Sequence, residues 1–93
     1  MNNMGAVTKK EVERFGQKVI RDFPGWNMQW TTAGSICIRE RKIIFIDRRF
    51  IGKYPWEAKE MVLHECSHIN TKDKLHGEEF YKEYIRLLRK FMF

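Results

Sequence analysis

The segment PWEAKEMVLHECSHIN, residues 55–70, decides how the rest of this chain is arranged. Its apolar residues recur at the spacing of an amphipathic helix, and Pro55 suits the first turn of such a helix. The segment therefore predicts a helix whose second half carries two histidines. Its core-facing side comprises Ala58, Met61, Val62 and Ile69.

The two histidines of this segment have the spacing of metal ligands. His64 and His68 are four residues apart, so both rings can reach one ion from the same face of a helix. Glu65 lies beside that face, where a carboxylate can reach a metal-bound water instead of the metal. Random shuffling of this composition gives the His-Glu-any-any-His pattern in under about 1% of sequences. The pattern predicts a catalytic zinc site.

A catalytic zinc ion needs a third protein ligand and an open fourth position. We predict His76 as the third ligand, because seven residues after His68 are enough for the helix to end and the chain to return. Gly77 would permit a tight backbone there. Glutamate is an equally sound third ligand, and the substitutes are Glu79 as runner-up, then Glu78 and Glu83.

The remainder of the chain predicts an α+β fold in a single domain, residues 1–93. Thr8 and Glu11 have capping-box spacing before a first helix, which ends at the PG dipeptide of residues 24–25. Three short β-prone segments follow, WNMQWTT, SICIRE and KIIFID, which we interpret as antiparallel strands. The order is α-β-β-β-α-α. The last helix places on one face Phe80, Tyr84, Leu87, Leu88 and Phe91.

The composition of the chain indicates the cellular environment and the kind of partner that we expect. The net charge of +6 favours an acidic partner such as DNA, although dispersed basic residues also serve solubility. Cys37 and Cys66 do not form the framework of a disulfide-stapled domain, and we expect both to be small core residues. Without a signal-peptide core or a run long enough to span a bilayer, the sequence predicts a soluble cytoplasmic protein with no membrane association.

The motifs HECSH (64–68) and HGEEF (76–80) together resemble those of the SprT-like, YgjP-like and WLM group of zincin metallopeptidases. IIFID and PWEAKEMVL also resemble that group's strand and its entry into the active-site helix. The resemblance covers residues 36–93. It implies that His64, His68 and His76 bind zinc, that Glu65 is the general base and acid, and that DNA-associated proteins are substrates. Single-domain minigluzincins are a second resemblance, in which Glu79 would be the third ligand.

The sequence thus predicts a zinc metallopeptidase whose metal-bound water is activated by Glu65. Tyr81 or Tyr84 could donate to the developing oxyanion, and the strand ending in IIFID could hold a peptide or protein substrate by strand addition. The alternative is a non-catalytic, zinc-stabilised nucleic-acid-binding module. Its best candidate contact is the basic loop RRFIGKY, residues 48–54. The clustered aromatic residues could stack on bases if exposed, but we expect them in the core: Trp26, Trp30, Phe45, Phe50, Tyr54 and Trp56. Oligomeric state is left open.

Overall fold

The computed structural model describes residues 8–50, 56–72 and 75–93 of the chain. Pro55 and residues 51–54 of the predicted basic loop lie outside these ranges. The described residues form three helices and one three-stranded sheet in the predicted order. The elements are α1 (Lys9–Ile20), β1 (Asn27–Thr31), β2 (Ile36–Ile38), β3 (Ile43–Asp47), α2 (Glu57–Cys66) and α3 (Glu78–Phe91).

Helix α1 begins where the sequence predicts. The Thr8 hydroxyl accepts a hydrogen bond from the backbone N–H of Glu11 at 3.1 Å, which satisfies one of the free donors of the first turn. Val12 and Val19 are fully buried on its inner face. Gly16 lets the helix approach β1, because a Cβ at this position would lie 2.3 Å from the Met28 sulfur. Packing therefore favours glycine here despite its low helix propensity.

The sheet is mixed, so the prediction of three antiparallel strands is wrong. Its strand order is β1-β3-β2, with β1 parallel to β3 and β2 antiparallel to β3. A short hairpin joins β2 to β3 through a 3-10 turn, Arg39–Arg41, and Lys42 in the left-handed conformation. The chain after β1 passes to the far side of β3, which leaves β1 and β3 running in the same direction. Alternating hydrophobicity reports which side of a strand is buried and carries no information about strand direction.

Strand β3 is the centre of the sheet. It forms ladders with both neighbours, and its register runs from Ile43 to Asp47 against β1. This position explains its nearly continuous apolar sequence, since Ile44 and Ile46 are fully buried. From Ile43 to Phe45 β3 is paired on both sides, so it is the central strand of the sheet and not an edge strand. The expectation that IIFID holds a peptide by strand addition is therefore wrong.

Helix α2 lies at the centre of the packing and contacts α1, α3, β2 and β3. The helix is shorter than predicted, ending at Cys66 and not at Asn70. Leu63 and Cys66 are fully buried, which confirms Cys66 as a core residue. No helix among the described residues combines the length and apolar character that a bilayer span requires. The main buried cluster contains Val12, Val19, Ile20, Phe23, Ile44, Ile46, Ala58, Val62, Leu63, Cys66 and Leu87.

The prediction that the tryptophans lie in the core is only partly confirmed. Trp26 and Trp30 are partly buried and pack against the main cluster, as expected. Trp56 is 52% exposed at the start of α2, so its assignment to the core is wrong. Tyr54 lies outside the described residues.

Candidate metal centre

The three histidines of the chain converge on one point. One ring nitrogen each from His64, His68 and His76 lies within 4.8 Å of the other two. Nitrogens bound to the same tetrahedral zinc ion at 2.0–2.1 Å are roughly 3.4 Å apart. Small side-chain rotations would therefore bring the three nitrogens onto one ion. The structure thus brings together the three residues predicted as metal ligands.

His64 and His68 are held by the end of α2. His64 lies in the last turn of the helix, whereas His68 follows its end. The backbone N–H of His68 donates to the Glu65 carbonyl at 3.2 Å, and that of Ile69 donates to the Cys66 carbonyl at 3.0 Å. These bonds span three residues, so a tighter turn replaces the last helical turn. The two rings still lie close together, edge to face, with centroids 5.6 Å apart.

Arg39 links this turn to the sheet. Its Nε donates to the His68 carbonyl at 2.8 Å, across 29 positions of sequence. A charged donor on this carbonyl anchors the turn that carries His68 to the segment after β2. This role of Arg39 cannot be predicted from the sequence, because the contact depends on how the β2–β3 hairpin packs against the end of α2.

His76 reaches the cluster from the segment just before α3. Its ring centroid lies 4.7 Å from that of His64 and 5.1 Å from that of His68. Gly77 is the N-cap of α3, and its N–H donates to the Leu75 carbonyl at 2.9 Å. Gly77 has φ −86° and ψ −168°, an extended backbone open to any residue. The predicted need for glycine at this position is therefore not supported.

Phe80 forms the floor of the histidine cluster. It is fully buried, and its ring centroid lies 4.5 Å from those of His68 and His76 and 5.1 Å from that of His64. From the sequence, Phe80 is predicted only as one residue of the apolar face of the last helix. Its contact with all three histidines was not predictable, because it requires the packing of α3 against the end of α2.

Glu65 lies in the wall of the same cavity. Its side chain is 5% exposed, and burial raises the pKa of this carboxyl to about 7. Burial, followed by the neighbouring histidines, lowers the pKa of His68 to about 4, and burial also lowers the pKa of His64. Both imidazoles are consequently neutral at pH 7, which is the form that binds metal ions.

The cavity has a volume of about 520 Å³ and is open to solvent. Cys37 on β2 lines it and is only half-buried, which corrects the expectation of a core residue. Burial raises the pKa of the Cys37 thiol to about 11, so it is protonated and a poor nucleophile at neutral pH. The complete lining is Ser35, Ile36, Cys37, Arg39, Glu40, His64, Glu65, His68 and His76.

The glutamates considered as alternative ligands make other contacts. Glu79 accepts a hydrogen bond from the Lys72 backbone N–H at 3.1 Å. Glu78 pairs with a lysine one turn along α3, and Glu83 pairs with Arg86 at 2.6 Å. Among the described residues, none of these carboxylates joins the cluster of potential metal ligands. The geometry favours His76 over Glu79.

The two candidate tyrosines lie near different histidines. Tyr84 has its ring centroid 5.9 Å from that of His64, and Tyr81 has its centroid 6.3 Å from that of His76. Burial, followed by the nearby Glu60 carboxylate, raises the pKa of Tyr84, whose hydroxyl hydrogen-bonds Glu60. Tyr81 is 49% exposed.

Comparison with known proteins does not assign this arrangement to a family. No protein-family model matches the chain, and neither the curated proteins nor the solved structures contain a significant match.

Proposed function

We propose that this protein is a zinc-dependent peptidase in which Glu65 moves the protons of peptide-bond hydrolysis. The observation that carries the proposal is the meeting of three imidazoles and one buried carboxylate in a single open cavity. Three imidazole nitrogen donors suit zinc, and a three-ligand site leaves the fourth position available for chemistry. Structural zinc sites more often fill all four positions with cysteine or histidine.

When bound, zinc would polarise the scissile carbonyl and acidify a coordinated water. Glu65 would take a proton from the attacking water and pass it to the leaving amine. A carboxylate can act as general base in the first transfer and as general acid in the second. Because the Tyr84 hydroxyl already bonds Glu60, Tyr81 is the better candidate to donate to the developing oxyanion.

A peptide substrate would bind along β2. Within the described residues this strand pairs with β3 on one side only, and Ile36 and Cys37 line the cavity. Ile36 is 52% exposed and lines the cavity, so its side chain is available for contact with a substrate side chain. An extended peptide could pair with the free edge of β2 and lay its backbone across the histidine cluster.

The metal site is tested by zinc content in protein purified without added metal. We expect one zinc per chain in the parent and in Glu79→Ala, and loss of zinc in His64→Ala and His76→Ala. Glu79→Ala is the matched control, since it removes a nearby carboxylate that the structure places outside the cluster. Zinc retained in His76→Ala but lost in Glu79→Ala would contradict the three-histidine site.

Catalysis is tested by Glu65→Gln with a library of quenched fluorescent peptides. This change keeps the size of the side chain and removes its capacity to accept a proton. We expect cleavage to fall at least 100-fold, in line with the contribution of general acid–base catalysis, while zinc content and thermal stability persist. Cleavage that persists in the variant would rule out the assigned role of Glu65.

The alternative is a binding module in which zinc only joins the end of α2 to the start of α3. The positions of His68 after α2 and His76 before α3 are the observation that favours it. In that case chelation would unfold this junction, and Glu65→Gln would leave every measurable property unchanged. Hydrolysis by the parent that is lost in Glu65→Gln would exclude this alternative.

A further inference from the structure

A second depression lies at the edge of the sheet where β1 and β3 end. It has a volume of about 340 Å³ and is lined by Trp30, Thr31, Thr32 and Arg48. None of these residues lines the cavity of the histidine cluster. The zinc-dependent peptidase proposed above has no use for this depression.

The mixed topology of the sheet creates the depression. Thr31 and Asp47 are register partners at the last positions of the parallel strands β1 and β3. Thr32 and Arg48, the next residues, therefore leave the sheet side by side at the same edge. In open sheets, the diverging chains at the carboxyl ends of parallel strands form crevices that bind ligands.

Hydrogen bonds fix the backbone of both sequence neighbours of Arg48, Asp47 and Arg49. The Asp47 N–H donates to the Ser35 hydroxyl at 2.8 Å, and the Arg49 N–H donates to the Asp47 carboxylate at 2.9 Å. The Arg49 guanidinium also binds this carboxylate through two nitrogens. Asp47 is thus neutralised by Arg49 and does not compete for Arg48. In the part of the chain that the structure describes, no carboxylate pairs with the exposed Arg48.

The other groups in and around the depression favour a ligand that has an anionic group and a flat ring. The Thr31 oxygen accepts a hydrogen bond from the Ala33 N–H, which leaves the hydroxyl proton of Thr31 for another acceptor. Lys9 Nζ lies 5.9 Å from the centroid of the Trp30 ring and adds a second positive charge. Glu13 is the nearby carboxylate, and it accepts the indole N–H of Trp30 at 3.0 Å.

We propose that this depression binds one nucleotide unit. Arg48 and the threonine hydroxyls hold its phosphate, and its base stacks on the ring of the partly buried Trp30, taking the place of the Lys9 ammonium that lies over that ring. Guanidinium groups recognise phosphate through paired hydrogen bonds, and aromatic rings stack on any base without sequence preference. The net charge of +6 assists the approach of such a ligand. The nucleotide is supplied either free or as part of a single strand, and the experiment below separates these sources.

The first measurement is the fluorescence anisotropy of a labelled oligothymidylate at several salt concentrations, with Arg48→Ala compared to Arg41→Ala. Arg41 is the matched control, since it is exposed, carries the same charge and precedes β3 at the other end. We expect Arg48→Ala to weaken binding at least fivefold beyond the control and to reduce the salt slope by about one, the value for one lost phosphate contact. Equal effects of the two changes would overturn the proposal, because net charge alone would explain the binding.

The second measurement follows the indole N–H signals of the three tryptophans by ¹⁵N NMR during titration. We expect the Trp30 signal to shift, with Trp26 and Trp56 as internal references. A shift with thymidine monophosphate and with oligothymidylate supports a site for a free nucleotide, and a shift with the oligonucleotide alone supports a site for a strand. No shift of Trp30 with either, or an equal shift with inorganic phosphate, would overturn the proposal.

The same titration on His64→Ala separates this inference from the proposed peptidase. The depression shares no lining residue with the histidine cluster, so loss of the metal ligand should leave nucleotide binding unchanged within twofold. Loss of binding in this folded variant would contradict an independent site. Failure of zinc binding in the parent would leave the result at Trp30 and Arg48 unaffected.

Discussion

The floor of the histidine cluster offers the sharpest test of how the fold supports the proposed site. Phe80 is fully buried and its ring lies within 5.1 Å, centroid to centroid, of each histidine ring. Replacing it with alanine would cost about 3–5 kcal/mol, a large share of the roughly 5–15 kcal/mol available to a small domain. Phe80→Leu is the better perturbation, because it preserves most of the volume and costs less than about 1.5 kcal/mol.

We expect Phe80→Leu to weaken zinc binding more than it weakens the fold. A leucine side chain lacks the flat surface against which the imidazoles rest, so the three ring orientations would no longer be restricted together. Changing residues that orient metal ligands typically lowers metal affinity 10–100-fold. The measurements are the zinc dissociation constant, by competition with a chromogenic chelator, and the free energy of unfolding of the metal-free chain in urea.

Leu87→Ala is the matched control for this prediction. Leu87 is fully buried on the same helix but belongs to the main cluster, which does not include the histidines. Its loss should cost about 2–5 kcal/mol and change the zinc dissociation constant less than threefold where the chain remains folded. If Leu87→Ala weakens zinc binding as much as Phe80→Leu does, the site depends on global stability and the reasoning about Phe80 is refuted.

Three further predictions concern the proposed metal, a buried acid and a helix cap. Zinc at 100 times its dissociation constant should raise the free energy of unfolding by about 2.7 kcal/mol, and EDTA should reverse the accompanying rise in the thermal midpoint. A thermal midpoint that zinc does not change would contradict a metal site in the folded state. Hydrogen bonds from Arg49 lower the pKa of Asp47 from 3.8 to about 2, so its stabilising contribution is complete above about pH 4 and is lost as the pH falls towards 2. Urea midpoints should therefore fall less steeply over this range in Asp47→Asn than in the parent, and parallel curves would contradict it. Thr8→Ala should cost about 1 kcal/mol by removing the bond to the Glu11 N–H, and Thr8→Ser should restore most of this stability in the same urea assay.

Local sequence patterns were sufficient to predict the helices and the pairing of His64 with His68. Thr8 begins α1 as expected, and the apolar face of α3 contains the fully buried Phe80 and Leu87. These features depend on residues within one or two helical turns, so periodicity and capping report them directly. The spacing of the two histidines is also a local feature of the sequence. It still brings the two rings close together, although α2 ends at Cys66, before His68.

Tertiary packing decided the features that depend on distant segments. The parallel pairing of β1 with β3 follows from the path of the chain around the sheet, which strand periodicity does not encode. Among the described residues, β2 is therefore an edge strand that lines the histidine cavity, and Thr32 and Arg48 line one depression at the end of the parallel strands. The choice of His76 over Glu79 also required the fold, because only the packing of α3 on α2 brings one side chain to the cluster and directs the other to the Lys72 N–H. The sequence by itself determined which segments are helical and which residues are candidate metal ligands, and the three-dimensional contacts brought three of these candidates together and set the edges of the described sheet.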